Sequence, residues 1–311
     1  MRILKWIGGA LLALLVLVVG ALVFTQWQIA QLETSAPEDG APGAFLTVNG
    51  KKLHVLSIGD PKADPTGAPM VLIHGAEPGG MLTWSGWVER FRGKRSVVMI
   101  DQIGFGHSER PTTPGPDMSM QARAKDVVAV ADQLGIAQFD LVGFSFGGHI
   151  AAQVALDAPD RLRKLVFIGA AIYIPKLPPV MDLPLVGRAI SFYLWGGAPY
   201  GVTYNRCVAA GQQPDACPAL RLARVKGMTD GMVAGLISGA LDPTLGDRVG
   251  KIATPTLVIW GGNDREVPVK DGDRLAQALH ARMIVIAKAG HWAHQDTPDR
   301  VFDSVIGFLG G

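Results

Sequence analysis

Charge is scarce in this chain and nearly cancels. Of 311 residues 18% are charged, with 29 Lys and Arg against 27 Asp and Glu, so the net charge is only +2. There is no long block of Lys and Arg and no basic stripe interleaved with aromatics. That excludes the electrostatic footprint of a nucleic-acid binder. Cysteine is scarcer still, with Cys207 and Cys217 alone. Their spacing matches no zinc pattern and neither stands at ligand distance from a histidine, so no metal is implied. Two readings of the pair stay open: a short disulfide loop if the domain is exported, or two buried thiols. Internal repeats and low-complexity tracts are also missing, which removes solenoids and disordered tails.

What the chain has in excess is apolar residues, at 48%. Part of that excess sits in one N-terminal run. Arg2 and Lys5 precede an uncharged stretch from Ile7 to Phe24, 18 residues long. That is near the length a helix needs to cross a hydrocarbon core of about 30 Å. Trp27 follows as an interfacial anchor, and then Glu33, Glu38 and Asp39. With Lys and Arg only on the near side, the start faces the cytoplasm and the rest is exported. An uncleaved signal-anchor is favoured over a cleaved signal peptide, because the run is long and the first small-residue site, Thr34-Ser35-Ala36, is distant. A buried core helix fits worse, since every face of the run is apolar. Residues 1–27 are therefore expected to anchor the chain in a membrane, and 28–43, rich in Pro, Gly and acid, to form a flexible tether.

Phe45 to Val48 and Leu53 to Ile58 then flank Asn49-Gly50, a hairpin signal. Beyond Pro69 the texture changes. Short apolar runs recur at Met70 to Ile73, Val97 to Ile100, Phe139 to Phe144, Leu165 to Ile168, Thr256 to Trp260 and Met283 to Ile286. Runs without polar alternation suit parallel strands buried on both faces. Helical spacing from Ser119 to Leu134, Phe146 to Leu156, Val269 to Leu279 and Asp299 to Leu309 separates most of them. The alternation predicts an α/β fold with helices on both faces of a parallel sheet. Residues 171–253 show no clear strand and are rich in Pro, Gly, Met and aromatics, which predicts a helical cap. The core then comprises 44–170 and 254–311.

Gly143-Phe144-Ser145-Phe146-Gly147 ends a strand and opens a helix. In that setting G-x-S-x-G is a nucleophile elbow, a tight turn that raises the serine hydroxyl above the sheet. A serine hydroxyl needs a base, and the base needs an orienting acid. His291 follows the last strand and Asp264 the one before it, with Glu266 as the rival acid. The loop after Ile168 holds no carboxylate. The oxyanion hole is expected from the backbone N–H groups of Phe146 and Ala76. Glu77, beside Ala76, is expected to turn its side chain away from that charge. His74 and His107 read as structural. His54, His149 and His280 show no partner in the sequence, and His294 is expected at the mouth or on the surface.

These pieces resemble the α/β-hydrolase superfamily over nearly everything after residue 44. The resemblance rests on Leu72-Ile73-His74-Gly75, Asp101-Gln102-Ile103-Gly104-Phe105-Gly106-His107-Ser108, Gly143 to Gly148, the Asp264 loop and Gly290-His291. It implies an eight-stranded, mostly parallel sheet with a cap inserted after strand six, and no cofactor. With the N-terminal anchor, the chain is similar to membrane-bound esterases and monoacylglycerol lipases. The bulky Phe144 and Phe146 and the apolar cap favour a small hydrophobic ester as substrate, with Phe144, Trp292 and Trp195 contacting it. Two alternatives remain. One is a carbon–carbon bond hydrolase of ring-cleavage products, for which Gly290-His291-Trp292-Ala293 is similar and one of Arg188, Arg206, Arg221 and Arg224 would meet the dienoate. The other is a tethered binding protein on a hydrolase scaffold.

Overall fold

The computed structural model describes residues 2–64, 66–113, 115–173, 178–213, 216–238 and 242–310. Helix α1 (Arg2–Leu32) leads into eight strands: β1 (Ala44–Val48), β2 (Lys51–Ile58), β3 (Met70–Ile73), β4 (Val97–Ile100), β5 (Phe139–Phe144), β6 (Leu162–Ile168), β7 (Thr256–Gly261) and β8 (Arg282–Ile286). They form one sheet in the order β1-β2-β4-β3-β5-β6-β7-β8. Only β1 with β2 and β2 with β4 are antiparallel; the other neighbours run parallel. The β1–β2 turn has positive φ at both Asn49 (50°) and Gly50 (77°), the geometry a two-residue type I′ hairpin demands.

Strands β3, β4 and β5 are buried along their whole length. Alternate residues feed two cores, as a pleated strand must. Val71, Ile73 and Leu141 pack with Val127, Ile150 and Val154, which come from α3 (Met120–Gln133) and α4 (Phe146–Asp157). Met70, Leu72 and Val142 pack on the other face with Trp87 of α2 (Ser85–Phe91) and with Val301 and Val305. Between β6 and β7 lie α5 (Pro184–Leu194), α6 (Val202–Ala209), α7 (Pro218–Ala223), α8 (Met228–Ser238) and α9 (Leu245–Arg248). A disulfide joins Cys207 to Cys217 and so ties the end of α6 to the start of α7. The last three helices are α10 (Val269–Ala278), α11 (Ala293–Asp296) and α12 (Pro298–Leu309).

Strand order reverses around β3, which has β4 on one side and β5 on the other. Connections leave such a point in opposite directions, so a crevice opens at the strand ends. Ile73 pairs across to Gly143, which sets the loop after β3 against the turn after β5.

The N-terminal segment departs from expectation. Helix α1 runs to Leu32, and residues beyond it do not hang free as a tether. Leu22, Thr25, Ile29 and Glu33 fall on one helical face and are partly or fully buried, with Gln26, Gln28 and Leu32 partly buried beside them. Ile29 packs on Phe192 and Ala198. Glu33 Oε1 accepts from Thr229 N at 2.9 Å, Lys226 N donates to Ser35 O, and His107 Nδ1 bonds to Pro37 O. The i, i+3/i+4 spacing of these side chains makes a docking seam, which a composition-based reading of residues 28–43 overlooks.

Candidate active site

The turn after β5 carries Ser145 at φ 51°, ψ −117°. A non-glycine residue there is strained, and surrounding contacts must hold it. Ser145 N donates to Ile168 O at 3.0 Å, and Ser145 O accepts from Gly148 N and Ala171 N at 2.9 Å each. The flanking glycines are required by space. A Cβ on Gly147 would lie 2.4 Å from Ile73 O, and one on Gly148 would lie 2.4 Å from Ala170 Cβ.

His291 reaches this serine from the loop after β8. Its Nε2 is 2.9 Å from Ser145 Oγ, and its Nδ1 is 2.8 Å from Asp264 Oδ2. The other Asp264 oxygen accepts from Glu266 N at 2.9 Å and Val267 N at 2.8 Å. With one carboxylate oxygen held by backbone, the other is fixed toward the imidazole, which orients the ring. Glu266, the rival acid, is mostly exposed and lies 3.8 Å from Nε2, the wrong nitrogen for an orienting role. The histidine loop is held by Gly290 N donating to Asp296 Oδ2 at 2.7 Å. Its approach to β7 needs Gly261, where a Cβ would fall 1.9 Å from Gly290 O.

Phe146 is the first residue of α4, so its N–H has no helical carbonyl to meet and points out of the helix start. The loop bearing Ala76 packs on the elbow: a Cβ on Gly75 would be 3.2 Å from Ser145 Cβ. The buried Asp101 fixes the backbone just beyond that loop. It accepts from Met81 N at 2.7 Å and His107 N at 2.9 Å, and it pairs with His54 Nδ1 at 2.7 Å. His54 thus has a partner that the sequence does not reveal.

A cavity of about 310 Å³ lies between core and cap, lined by Glu77, Leu82, Trp195, Arg206, Trp292 and the disulfide; it meets the site through Glu77 and Trp292, the chain neighbours of Ala76 and His291, while Ser145, Asp264 and His291 themselves are not in its lining. A larger hollow of about 840 Å³ is bounded by Leu257, Arg282 and Phe308. It lies where β7 and β8 begin, the opposite end of the sheet from the serine, and no chain neighbour of the triad lines it. Arg206 stands 3.5 Å over the Trp292 ring, and Trp292 Nε1 is 3.4 Å from Glu266 Oε1.

Two expectations need correction, for His294 and Phe144. Glu77 lines the cavity, whose wall includes neither Ser145 nor Phe146. Burial pushes its carboxyl up to about 8 against the opposing pull of Arg206. His294 is buried, not at the mouth, with Nε2 2.7 Å from Thr83 Oγ1. Burial drives its pKa down to about 3, so it stays neutral. Phe144 is wholly buried and does not line this cavity. It packs against Trp84, His291, Trp292 and His294. Phe146 is likewise buried, against Phe105 and the Arg123 guanidinium. Alternation along a short strand cannot reveal this, because both faces of the sheet are covered. Of the residues expected to touch substrate, Trp292 and Trp195 do line the cavity.

A family model described as alpha/beta hydrolase fold matches residues 68–207. The chain is 30% identical over 292 residues to a 2-hydroxy-6-oxononadienedioate/2-hydroxy-6-oxononatrienedioate hydrolase of Klebsiella pneumoniae, covering 87% of this chain and 96% of that protein. The protein of the same name from Paraburkholderia phymatum is 30% identical over 258 residues, covering 78% and 86%. Among solved structures, a meta-cleavage product hydrolase from Pseudomonas fluorescens superposes with a TM-score of 0.66 at 22% identity, covering 86% of this chain and 97% of that one. A thermophilic esterase from Thermogutta terrifontis gives 0.68 at 22%, with the same coverage. These two likenesses speak to the fold. The curated relatives overturn the expectation of ester cleavage, since they are named for another reaction. The physical argument behind that expectation fails too, because neither Phe144 nor Phe146 presents its ring to the cavity.

Proposed function

The chain belongs to the alpha/beta hydrolase family and is a hydrolase; on that premise we propose that it cleaves a carbon–carbon bond in a carboxylated, vinylogous 1,5-diketone, using Ser145 as nucleophile, His291 as base and Asp264 as the orienting acid. The observation that carries the reading is Arg206, a cap cation in the cavity wall, stacked on the residue next to His291 in the chain. A guanidinium there suits a substrate carboxylate. The curated relatives' names describe such molecules, with a 2-hydroxy end, a 6-oxo group and two carboxylates.

Ketonisation of the 2-hydroxy end makes carbon 5 a competent leaving carbanion, because its charge delocalises into the new 2-oxo group. Ser145 Oγ attacks the 6-oxo carbon while His291 Nε2 takes the hydroxyl proton. The N–H groups of Phe146 and Ala76 receive the oxyanion. Collapse breaks the bond between carbons 5 and 6 and leaves an acyl group on Ser145. The electron pair passes to the dienolate, which takes up a proton. Water activated by His291 then releases the acid. Phe144 and Trp84 back this site from below, while Trp292 and Trp195 wall the cavity.

The reading includes location. Trp6–Leu32 is long and apolar enough to cross a membrane, with a mean hydropathy of 2.8 in its most apolar stretch. We place it as an uncleaved anchor with the catalytic part on the exported side. The deciding assay is purified full-length protein with a carboxylated vinylogous 1,5-diketone. Loss of the dienolate chromophore and appearance of two acids, both abolished in Ser145→Ala, is expected. Folded enzyme that labels with a fluorophosphonate yet leaves the diketone intact would refute the carbon–carbon assignment.

A further inference from the structure

Exposed apolar side chains are concentrated in one place outside α1. Among the described residues, the large ones are Val180, Leu183, Leu185, Tyr193, Leu194, Tyr200, Val202 and Val208, with Val285 alone elsewhere. Tyr200 is 80% exposed, Leu183 54% and Val208 51%. All eight belong to the first part of the cap, on or beside α5 and α6. A patch of this kind on a folded protein marks a surface that something else covers.

The position of α1 says what covers it. Gln26 Oε1 accepts from Arg188 Nε at 2.6 Å, and Gln28 Oε1 accepts from Tyr193 OH at 2.7 Å. Ile29 packs on Phe192. Helix α5 is therefore level with residues 26–29 of α1. The continuous apolar run ends at Phe24, before Thr25 and Gln26, so at about 1.5 Å per residue α5 lies within roughly 8 Å of the hydrocarbon edge. Trp27, 57% exposed, and Tyr193 share that level, the depth at which aromatic residues collect at a bilayer boundary. The only charge on α5, Arg188, turns inward to Asp230 and Gln26. Nothing charged on α5 thus has to leave water if this face enters lipid.

The same patch reaches the cavity. Leu194 and Val202 are exposed on the cap face and also line the cavity that holds Arg206 and Trp292. We propose that the cap face formed by α5 and α6 beds in the boundary of the bilayer spanned by α1, and that the cavity receives an amphiphilic substrate directly from that boundary. The proposal rests on the anchor reading, though not on which bond is cleaved. In this arrangement the apolar part of the substrate stays in lipid until it passes Leu194 and Val202, and its polar head enters first toward Arg206.

The test uses full-length protein in phosphatidylcholine vesicles. Both native cysteines are in the disulfide, so an introduced cysteine is the only free thiol for a fluorophore. Labels are placed one at a time by Leu14→Cys, Leu183→Cys, Tyr200→Cys and Val285→Cys, and lipids carry bromine on the acyl chains as quencher. The labels at 14, 183 and 200 should lose about half their intensity or more, and the label at 285 almost none. Quenching at 14 with 183 and 200 behaving like 285 would overturn the bedding of the cap while leaving the anchor standing. No quenching at 14 would remove both. A triple variant, Leu183→Glu with Leu185→Glu and Tyr200→Glu, then tests entry. It should turn over whichever water-soluble substrate the parent accepts, the diketone acid or a short-chain ester, as the parent does, yet lose about tenfold on the long-chain analogue of that same substrate dissolved in the vesicles. Equal rates on the vesicle-borne analogue would refute entry from the bilayer.

Discussion

The Arg206 guanidinium lies 3.5 Å over the indole of Trp292, and Trp292 adjoins His291 in the chain. A cation from the cap is thereby docked beside the base from the core. Its Nη2 also donates to Gln295 Oε1 at 3.0 Å, so the fork is held in one plane while the ring covers one face. Cation–π stacking of this kind adds on the order of 1 kcal/mol and fixes orientation.

If Arg206 receives a substrate carboxylate, Arg206→Ala should lower kcat/KM on the carboxylated diketone by about 10- to 100-fold, mostly through KM. Arg206→Lys should recover only part, because an ammonium neither stacks nor forks. The methyl ester of the same diketone should be nearly indifferent to both changes. An equal loss on acid and ester would assign Arg206 to cap packing instead.

The triad geometry separates two carboxylates. Asp264→Asn should cost roughly 10³- to 10⁴-fold in kcat, since an amide cannot stabilise the imidazolium at His291 Nδ1. Glu266→Gln, at an exposed side chain 3.8 Å from Nε2, should change kcat by less than about threefold. Steady-state rates of the two variants decide the matter, and a large loss in Glu266→Gln would require a different acid. Ser145→Ala should abolish fluorophosphonate labelling outright, which also disposes of the tethered-binder alternative.

Glu77 should impose a pH dependence on stability. Its folded carboxyl titrates near 8, raised from 4.5 by burial. Between those values the folded protein holds a proton that the unfolded chain has released. Stability therefore falls as pH rises from about 4.5 to about 8 and levels off above that, with a slope of at most about 1.4 kcal/mol per unit. Partial exposure of the residue reduces that slope. Urea unfolding at pH 5, 7 and 9 should show this decline in the parent and a flatter profile in Glu77→Gln. Identical profiles would mean that the carboxyl is ionised in the cavity at neutral pH.

The disulfide links Cys207 to Cys217, ten positions apart in the chain, and forms part of the cavity wall. Cys207→Ser with Cys217→Ser should reduce stability by about 2–3 kcal/mol on loop entropy alone. Because Arg206 precedes Cys207, KM for the carboxylated substrate should rise as well. Calorimetry and kinetics with and without reductant measure both effects. An unchanged melting temperature would mean that packing of Leu220 and Ala223 around the pair holds this region unaided.

Much of this molecule could be read in one dimension. Each of the six short apolar runs became a parallel strand, and Asn49-Gly50 became the turn its two positive φ values require. Ser145, Asp264 and His291 were legible because each belongs to a loop at the end of such a strand, where local pattern dictates position. Helix α2 went unseen, since seven residues are too few to display a period. The partners of His54 and His294, Asp101 and Thr83, are 47 and 211 residues away in the chain, and no local pattern reports contacts of that separation.

Strand period, turn chemistry and the uncharged N-terminal run are properties of neighbouring residues, so the amino-acid order by itself determined the layered α/β fold, the serine–histidine–acid constellation and a helix fit to span a membrane. Which side chains face the cavity was decided only in three dimensions. Phe144 lost that place to burial, Glu77 and Arg206 gained it, and residues 28–37 closed onto the cap, because orientation depends on what packs against each group from distant parts of the chain. That is also why the bulky rings beside Ser145 pointed to the wrong reaction: both are buried in packing with other rings and do not line the cavity.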